Sequence, residues 1–437
     1  MHPDLHRFAP PGTAPLADTP AMRFLENAAR LLLGYNMRSD LLERRILRIA
    51  EKLELDVDVL VSYRSITLFT GAGWHVHIKV HELRINVAVS TRAIQAIDAF
   101  CDGQIGLDEA LLLLESAEHN ARGHTRAQLA VIFGLAAAAL AWLLHADWGA
   151  MAVSGVSSAI GLLVRQELAK RHVLLFALPF TAALIGAFCG GLAILAGWTR
   201  TPGYCLMVPA LMLVPGPHLI NGLYDMLENH MQTGIARLGL AAGILTSASL
   251  GVFLGGWLTL GMTTAAAVPS DVAPLNLVID VLLAGLASCG FGAFYNAPWR
   301  VLWISILAGM IGHGIRYVCM NHGVSQEIAT LFACFAIGAI SNVAVEKLRL
   351  PFAAVAFAGA VPMMPGVFIY QSIGNAMLLA KDGVHADPTL AVATLALFAK
   401  ACFVVGAMGL GLLLGARLTG LLSAQIARVR KRAPGMA

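Results

Sequence analysis

Downstream of a Pro215-Gly216 pair in an apolar run, His218, Asn221, Asp225 and Glu228 follow at spacings of three, four and three residues. On a helix this places all four along one face. Ionisable groups are expensive within a bilayer and face a cavity or one another, so Asp225 and His218 lead the candidates for substrate contact or proton carriage. Histidine titrates near neutral pH, which suits that role. Glu228 belongs more naturally to the membrane interface.

A second pair, Pro365-Gly366, stands in MMPGVFIYQSIGNAM, and aligning it with LVPGPHLINGLYDML puts Gln371 opposite Asn221 and Asn375 opposite Asp225. Proline removes a backbone donor and clashes with the preceding turn, while glycine tolerates the distorted chain. Carbonyls and amides are thereby released, and in lipid they cost several kcal/mol unless a cavity, water or a solute satisfies them. One such pair reads as a simple kink as readily as a site; two at matching positions favour a site. Asp280, Asn342 and Lys400 are further coupling candidates. Asp280 and Lys400 either couple transport or neutralise each other, and Asn342 fits a solute contact and an interhelical hydrogen bond equally well. Arg316 and Glu346 are expected at helix ends, reaching water.

Other chemistry finds little support. His75 and His77 share a strand face in an H-x-H-x-x-x-H pattern, but no acidic or cysteine partner has convincing spacing, so solvated histidines are expected and no metal site. There is no G-x-S-x-G, H-E-x-x-H, P-loop or strand-linked G-x-G-x-x-G, which argues against an enzyme, ATP-driven pumping and a bound cofactor. The seven cysteines lie far apart without a C-x-x-C pair.

The elements that must position these residues follow from hydropathy. The 437 residues are 58% hydrophobic and 13% charged, with mean hydropathy +0.72. Globular chains carry about a quarter charged residues, so the apolar excess must face lipid. Residues 1–123 hold 29 of the 56 Asp, Glu, Lys and Arg, and residues 124–437 the other 27. The net charge of +4 is scattered and gives no nucleic-acid footprint. Residues 1–20 lack the features of a signal peptide and read as a disordered tail, so the domain that follows, 21–123, is expected in the cytosol. Its pattern predicts helices around Phe24–Leu32 and Leu41–Leu53, with Ser39 as N-cap of the second, a hairpin of runs 57–70 and 74–80, and helices near 91–102 and 107–118. This is a small α+β domain.

From Thr125 onward ten blocks are long enough to span a membrane: 125–145, 149–166, 172–197, 204–229, 233–261, 276–295, 299–319, 325–345, 351–380 and 389–421. Arg165, Lys170, Arg171, Arg237, Arg300, Lys347 and Arg349 fall on one side, and Arg200, Arg316 and Lys381 on the other. That bias, with the run Arg428, Arg430, Lys431, Arg432, predicts both termini in the cytosol. The repeat of about 150 residues divides the spans into two five-helix units, 124–271 and 272–424, followed by a basic tail, 425–437. Consecutive units with an odd number of spans insert with opposite topology. The predicted fold is therefore an all-α polytopic membrane domain of two inverted repeats with broken helices, the architecture of alternating-access transporters.

The soluble α/β domain, the ten spans and the motif PG-x-x-LING-x-x-D (Pro215, Gly216, Leu219, Ile220, Asn221, Gly222, Asp225), followed by Gly234 and Arg237, resemble the threonine/serine exporter family over roughly residues 24–421. Pro217 and His218 depart from the PG-V-P form associated with that family. The resemblance implies export of threonine and serine from a bacterial cytosol through the inner membrane, driven by the proton motive force. Two-subunit relatives are associated with succinate export, which makes a dicarboxylate the alternative substrate. A membrane sensor or scaffold is the alternative from another class. The breaks, their alignment and the polar stripe together make Pro215, Gly216, His218, Asn221, Asp225, Pro365, Gly366, Gln371 and Asn375 the candidates for substrate binding or coupling. The helix beginning after Pro215-Gly216 should offer free amides to a carboxylate. Expected partners are a small-molecule substrate, protons and the lipid bilayer, with no nucleic acid; a homo-oligomer is compatible with the sequence.

Overall fold

The computed structural model describes residues 5–8, 19–71, 75–121, 123–171, 173–261 and 275–432. The soluble domain opens with strand β1 (Leu5–Phe8) and helices α1 (Pro20–Gly34) and α2 (Ser39–Lys52). Thr19 caps α1 through its hydroxyl, and Pro20 occupies the first turn, where its missing N–H costs nothing. Strands β2 (Val57–Val61), β3 (Ser65–Thr70) and β4 (His75–Lys79) follow, then α3 (Val87–Cys101), α4 (Leu107–Glu115) and the short α5 (Ala117–Asn120). The sheet is antiparallel in the order β1-β4-β3-β2. Ile66, Leu68, Val76 and Ile78 alternate onto one face and join Phe24, Leu25, Leu31 and Leu32 of α1 in a single core.

Two expectations change here. The run 57–70 is two strands, because Ser62–Arg64 turns the chain, with Ser62 N donating to Ser65 O at 2.8 Å. Leu5–Phe8, expected to be part of a disordered tail, pairs with β4. On the opposite sheet face His77 Nδ1 lies 2.9 Å from Thr67 Oγ1, and His75 stacks near Phe69.

The membrane domain comprises α6 (Arg126–Leu143), α7 (Trp148–Lys170), α8 (Ala177–Leu195), α9 (Pro202–Leu211), α10 (Gly216–Leu227) and α11 (Met231–Leu260). It continues with α12 (Leu277–Phe294), α13 (Trp299–Asn321), α14 (Gln326–Leu348), α15 (Phe352–Ala360), α16 (Gly366–Asp382) and α17 (Pro388–Arg432). Eight of these are long and apolar enough to cross a membrane singly, and the bent pairs α9/α10 and α15/α16 raise the number to ten. Helix α17 carries on to Arg432, through much of the segment expected to be a tail. Thr125 starts α6 with a capping box to Gln128, and Asn276 caps α12.

Both halves pack alike. Helix α7 lies between α6 and α8 as α13 lies between α12 and α14; α8 runs along α11 as α14 runs along α17. The halves join where α6 packs on α12, with the Phe133 and Phe294 rings 5.2 Å apart.

A polar clamp closes the end of the first half away from the soluble domain. Asp147 accepts from Ala150 N at the start of α7, and from Thr199 Oγ1 and Arg200 N after α8, while its own N–H donates to Thr201 Oγ1. Burial alone would raise this carboxyl, but the converging donors outweigh it and hold it below the usual carboxylate range. Asp147→Ala should cost about 1–2 kcal/mol of stability, in the range of a lost N-cap, read as a lowered melting temperature. Because the folded carboxyl lies below its unfolded value, the stabilisation is complete above that unfolded value and is lost as pH falls through the depressed one. Wild type and variant should therefore converge in acid.

Candidate functional site

The two helix breaks meet. Pro215 has φ −79° and ψ 61°, an inverse γ-turn in which Gly216 N donates to Val214 O at 2.8 Å. The chain direction changes by 63° there and by 57° at Pro365-Gly366, well short of reversal, so each pair is a broken span. A methyl group added at Gly216 would lie 3.2 Å from Val361 Cγ2 and 3.0 Å from Met364 Cε; one at Gly366 would lie 2.8 Å from Leu211 Cδ2 and 3.4 Å from Val214 Cγ2. Residues 211, 214 and 216 are each 150 positions before 361, 364 and 366. Such reciprocal contacts are what a two-fold relation between the halves produces. Tyr370 adds a tie across the junction, its hydroxyl donating to Ala210 O at 2.9 Å.

The helix start after Pro215 does not offer the free amides expected of it. Gly216 N is bonded to Val214 O, Pro217 has no N–H, and His218 N and Leu219 N share Pro215 O. Pro217, the departure from the family form, thus removes a donor where an anion would need one. At the second break the first helix amide with a backbone partner is Ile369 N, to Pro365 O at 3.1 Å. The first turn of α10 is thus closed to an anion by its own backbone bonds and Pro217, and the first turn of α16 carries no such proline.

On the side of the junction that faces the soluble domain, His218, Asn221 and Asp225 are all buried on one face of α10. Gly222 and Gly234 let α10 and α11 cross closely: a methyl group at Gly234 would fall 2.7 Å from Gly222 O. That proximity brings Arg237 Nη1 to 3.0 Å from Asp225 Oδ2, both side chains essentially inaccessible. The pair is an ion pair by distance only; neither atom is aligned for a hydrogen bond, and Arg237 Nε, Asn221 Oδ1 and His218 Nδ1 also lack a hydrogen-bond partner. Glu228 has an ion-pair partner in Arg417 of α17 at the rim.

The soluble domain covers this set. The turn between α1 and α2 lays Asn36 O on Asn221 Nδ2 at 2.9 Å, Met37 O on Arg237 Nη2 at 2.7 Å and Ser39 N on Asp225 Oδ1 at 3.0 Å. Ser39 is therefore not the N-cap of α2: Arg38 holds that position, and the carboxylate of Asp225 does the capping from another domain. Arg38 stacks 4.1 Å over Tyr224 and forms a two-pronged ion pair with Asp40. Burial alone would raise the Asp40 carboxyl, but Arg38 and Arg44 outweigh it and hold it low. Elsewhere Val87 N bonds Tyr295 O, and Arg349 pairs with Asp102.

On the opposite side of the junction is a cavity of about 230 Å³ lined by His145, Asp280, His313, Arg316, Tyr317 and Pro365 among others. His313 Nδ1 lies 2.5 Å from Asp280 Oδ1, both residues buried. Arg316 Nη1 reaches the carbonyl of Met363 in the second break at 3.4 Å.

Several sequence expectations are corrected by this geometry. Asp280 pairs with His313 and not with Lys400, whose Nζ lies 4.9 Å over the ring of Phe368. Arg316 lines the cavity instead of reaching water at a helix end. Asn342 is half-buried and donates to Glu346 on its own helix, not across to a neighbouring one. Arg237, counted above among the charges that set orientation, is the buried partner of Asp225. Gln371 and Asn375 are half-buried on α16. His313 was missed, although an intramembrane histidine in AGMIGHGIRY is itself a signal.

A multi-pass bundle of two related halves, whose broken helices cross between two buried polar sets, defines a membrane transporter. The comparisons agree: residues 23–258 match the threonine/serine exporter family ThrE, and residues 280–418 match Threonine/Serine exporter, ThrE. No solved structure matches the chain. The chain belongs to the threonine/serine exporter family.

Proposed function

We propose that this protein is a secondary active transporter that exports threonine and serine across the bacterial cytoplasmic membrane in exchange for protons, with both termini in the cytosol. The observation that carries the reading is the crossing of the two breaks, with one charged set on each side. Near the cytosol are Asp225 and Arg237; across the junction are Arg316, the Asp280–His313 pair and the first turn of α16. Each set joins an acidic group to a basic one. A zwitterion meets a partner for both its ends there, whereas a second carboxylate would be repelled by Asp225 or Asp280, which disfavours a dicarboxylate. Asp225 holds the substrate ammonium or a proton but not both, so the two cargoes move in opposite directions. Arg316 and the α16 amides hold the carboxylate on the far side, and His313 with Asp280 hands over the proton.

The test is counterflow in proteoliposomes. Labelled threonine should accumulate against an excess of unlabelled threonine inside, and an imposed proton gradient should drive net movement. Exchange of succinate but not threonine would replace this reading with the dicarboxylate one. No exchange of any solute would point to a sensor or scaffold.

A further inference from the structure

The α1–α2 turn presents to α10 and α11 one N–H donor and two carbonyl acceptors, and what they contact is informative. The donor, Ser39 N, goes to the carboxylate of Asp225; the acceptors, Asn36 O and Met37 O, go to the amide of Asn221 and the guanidinium of Arg237. A free α-amino acid has the same polarity, with N–H donors on its ammonium and oxygens on its carboxylate. We propose that the Asn36–Ser39 turn is a built-in pseudosubstrate, occupying a subsite in which Asp225 receives the ammonium of an α-amino acid and Asn221 with Arg237 receives its carboxylate. This rests on the exporter reading and deepens it.

The turn is shaped for the task before it docks. Tyr35 N, Asn36 N and Met37 N bond back to carbonyls of α1, and Asn36 sits at φ 59°, so the outward groups of the turn are its remaining carbonyls and the first amide of α2. Arg38 anchors it on Tyr224. The fit is nonetheless incomplete. Arg237 Nε and Nη1, Asp225 Oδ2 and Asn221 Oδ1 are buried without hydrogen bonds while the turn is in place, and a cavity of about 80 Å³ lies between the turn, Asn221 and Phe352. Neutral backbone groups satisfy only part of a site built from charges. An ammonium and a carboxylate would form charge-assisted bonds, roughly twice as strong as neutral ones, and could use the donors and acceptors the turn leaves over. Substrate therefore displaces the turn, and the turn seals the pathway when substrate is scarce.

The experiment is hydrogen exchange on the full-length protein in proteoliposomes, following the segment around residues 35–42 with and without L-threonine. Saturating threonine should speed exchange there several-fold, while N-acetylthreonine, which lacks the ammonium, and threoninamide, which lacks the carboxylate, should not. A companion variant is Ser39→Pro. Position 39 is the first residue of α2, where proline is tolerated, and the change removes the donor to Asp225 and sets a ring carbon against its carboxylate, which unseats the turn. Because a self-occupied site binds with an affinity reduced by its free fraction, this variant should bind threonine about tenfold more tightly. Unchanged or increased protection of residues 35–42 in threonine, in protein that still exchanges threonine, overturns the pseudosubstrate and leaves the exporter reading intact. Absence of threonine counterflow overturns both.

Discussion

Asp225→Asn is expected to abolish proton-driven threonine export while leaving insertion into the membrane intact. On the proposed mechanism the substitution removes the carboxylate that pairs with Arg237 beneath the soluble domain, and with it the anionic partner of the substrate ammonium or the proton. It also strands Arg237, whose guanidinium is 1% exposed. Removing one member of a buried ion pair commonly costs about 3–5 kcal/mol because the other charge is left uncompensated. Loss of activity could thus be a stability effect, and a second variant separates the two. Asp225→Asn combined with Arg237→Gln removes both charges, so it should recover most of the thermal stability lost by the single variant. Transport should stay absent. A double variant that exports threonine at the wild-type rate would show that the pair is structural and shift attention to Asp280 and His313. Asn375, the uncharged counterpart in the second half, should tolerate alanine better than Asp225 tolerates asparagine.

The second large effect is expected at Arg316, on the far side of the junction. It is a basic group in the 230 Å³ cavity, beside the first turn of α16. If it holds the substrate carboxylate, Arg316→Met deletes a charged hydrogen bond worth about 1.5–3 kcal/mol, a weakening of roughly tenfold to a hundredfold in half-saturation from the outer face. Half-saturation from the face covered by the soluble domain should change much less if Asn221 and Arg237 serve the carboxylate there, as proposed. Equal weakening on both faces would assign Arg316 to general architecture. Arg316→Lys, which keeps the charge but loses the planar fork, should fall between wild type and Met.

Much of this architecture is legible in the sequence, for a definite reason. Span length and the Pro-Gly pairs are local signals, and bilayer thickness and proline stereochemistry translate them directly into broken helices. The polar stripe on α10 is local too, at three- and four-residue spacing. Pairings are not local. Arg237 follows Asp225 by twelve residues and meets it because the chain turns at Glu228–His230 and the two glycines allow a close crossing. Asp280 and His313 are 33 residues apart on neighbouring helices. Periodicity within either helix says nothing about which face meets which. The docked turn was least accessible to sequence reasoning, since its contacts are made by backbone atoms of Asn36, Met37 and Ser39, whose positions depend on the fold of both domains. Ser39 looked like a cap because its residue type favours one, and its amide is instead capped by Asp225.

The reciprocal seating of the two breaks has a consequence for how the molecule can move. Leu211 and Val214 bear on one glycine as Val361 and Met364 bear on the other, so exchanging the postures of the two halves leaves that seat nearly unchanged. Such a fulcrum is close to indifferent between its two tilts. Whatever sets the idle posture must come from the parts that are not duplicated. The soluble domain is the largest of these, touching α10, α11, the α12–α13 corner and Arg349 on one face only. If the exporter reading holds, it is a counterweight on an otherwise even balance, and it favours the posture in which the end it covers is shut.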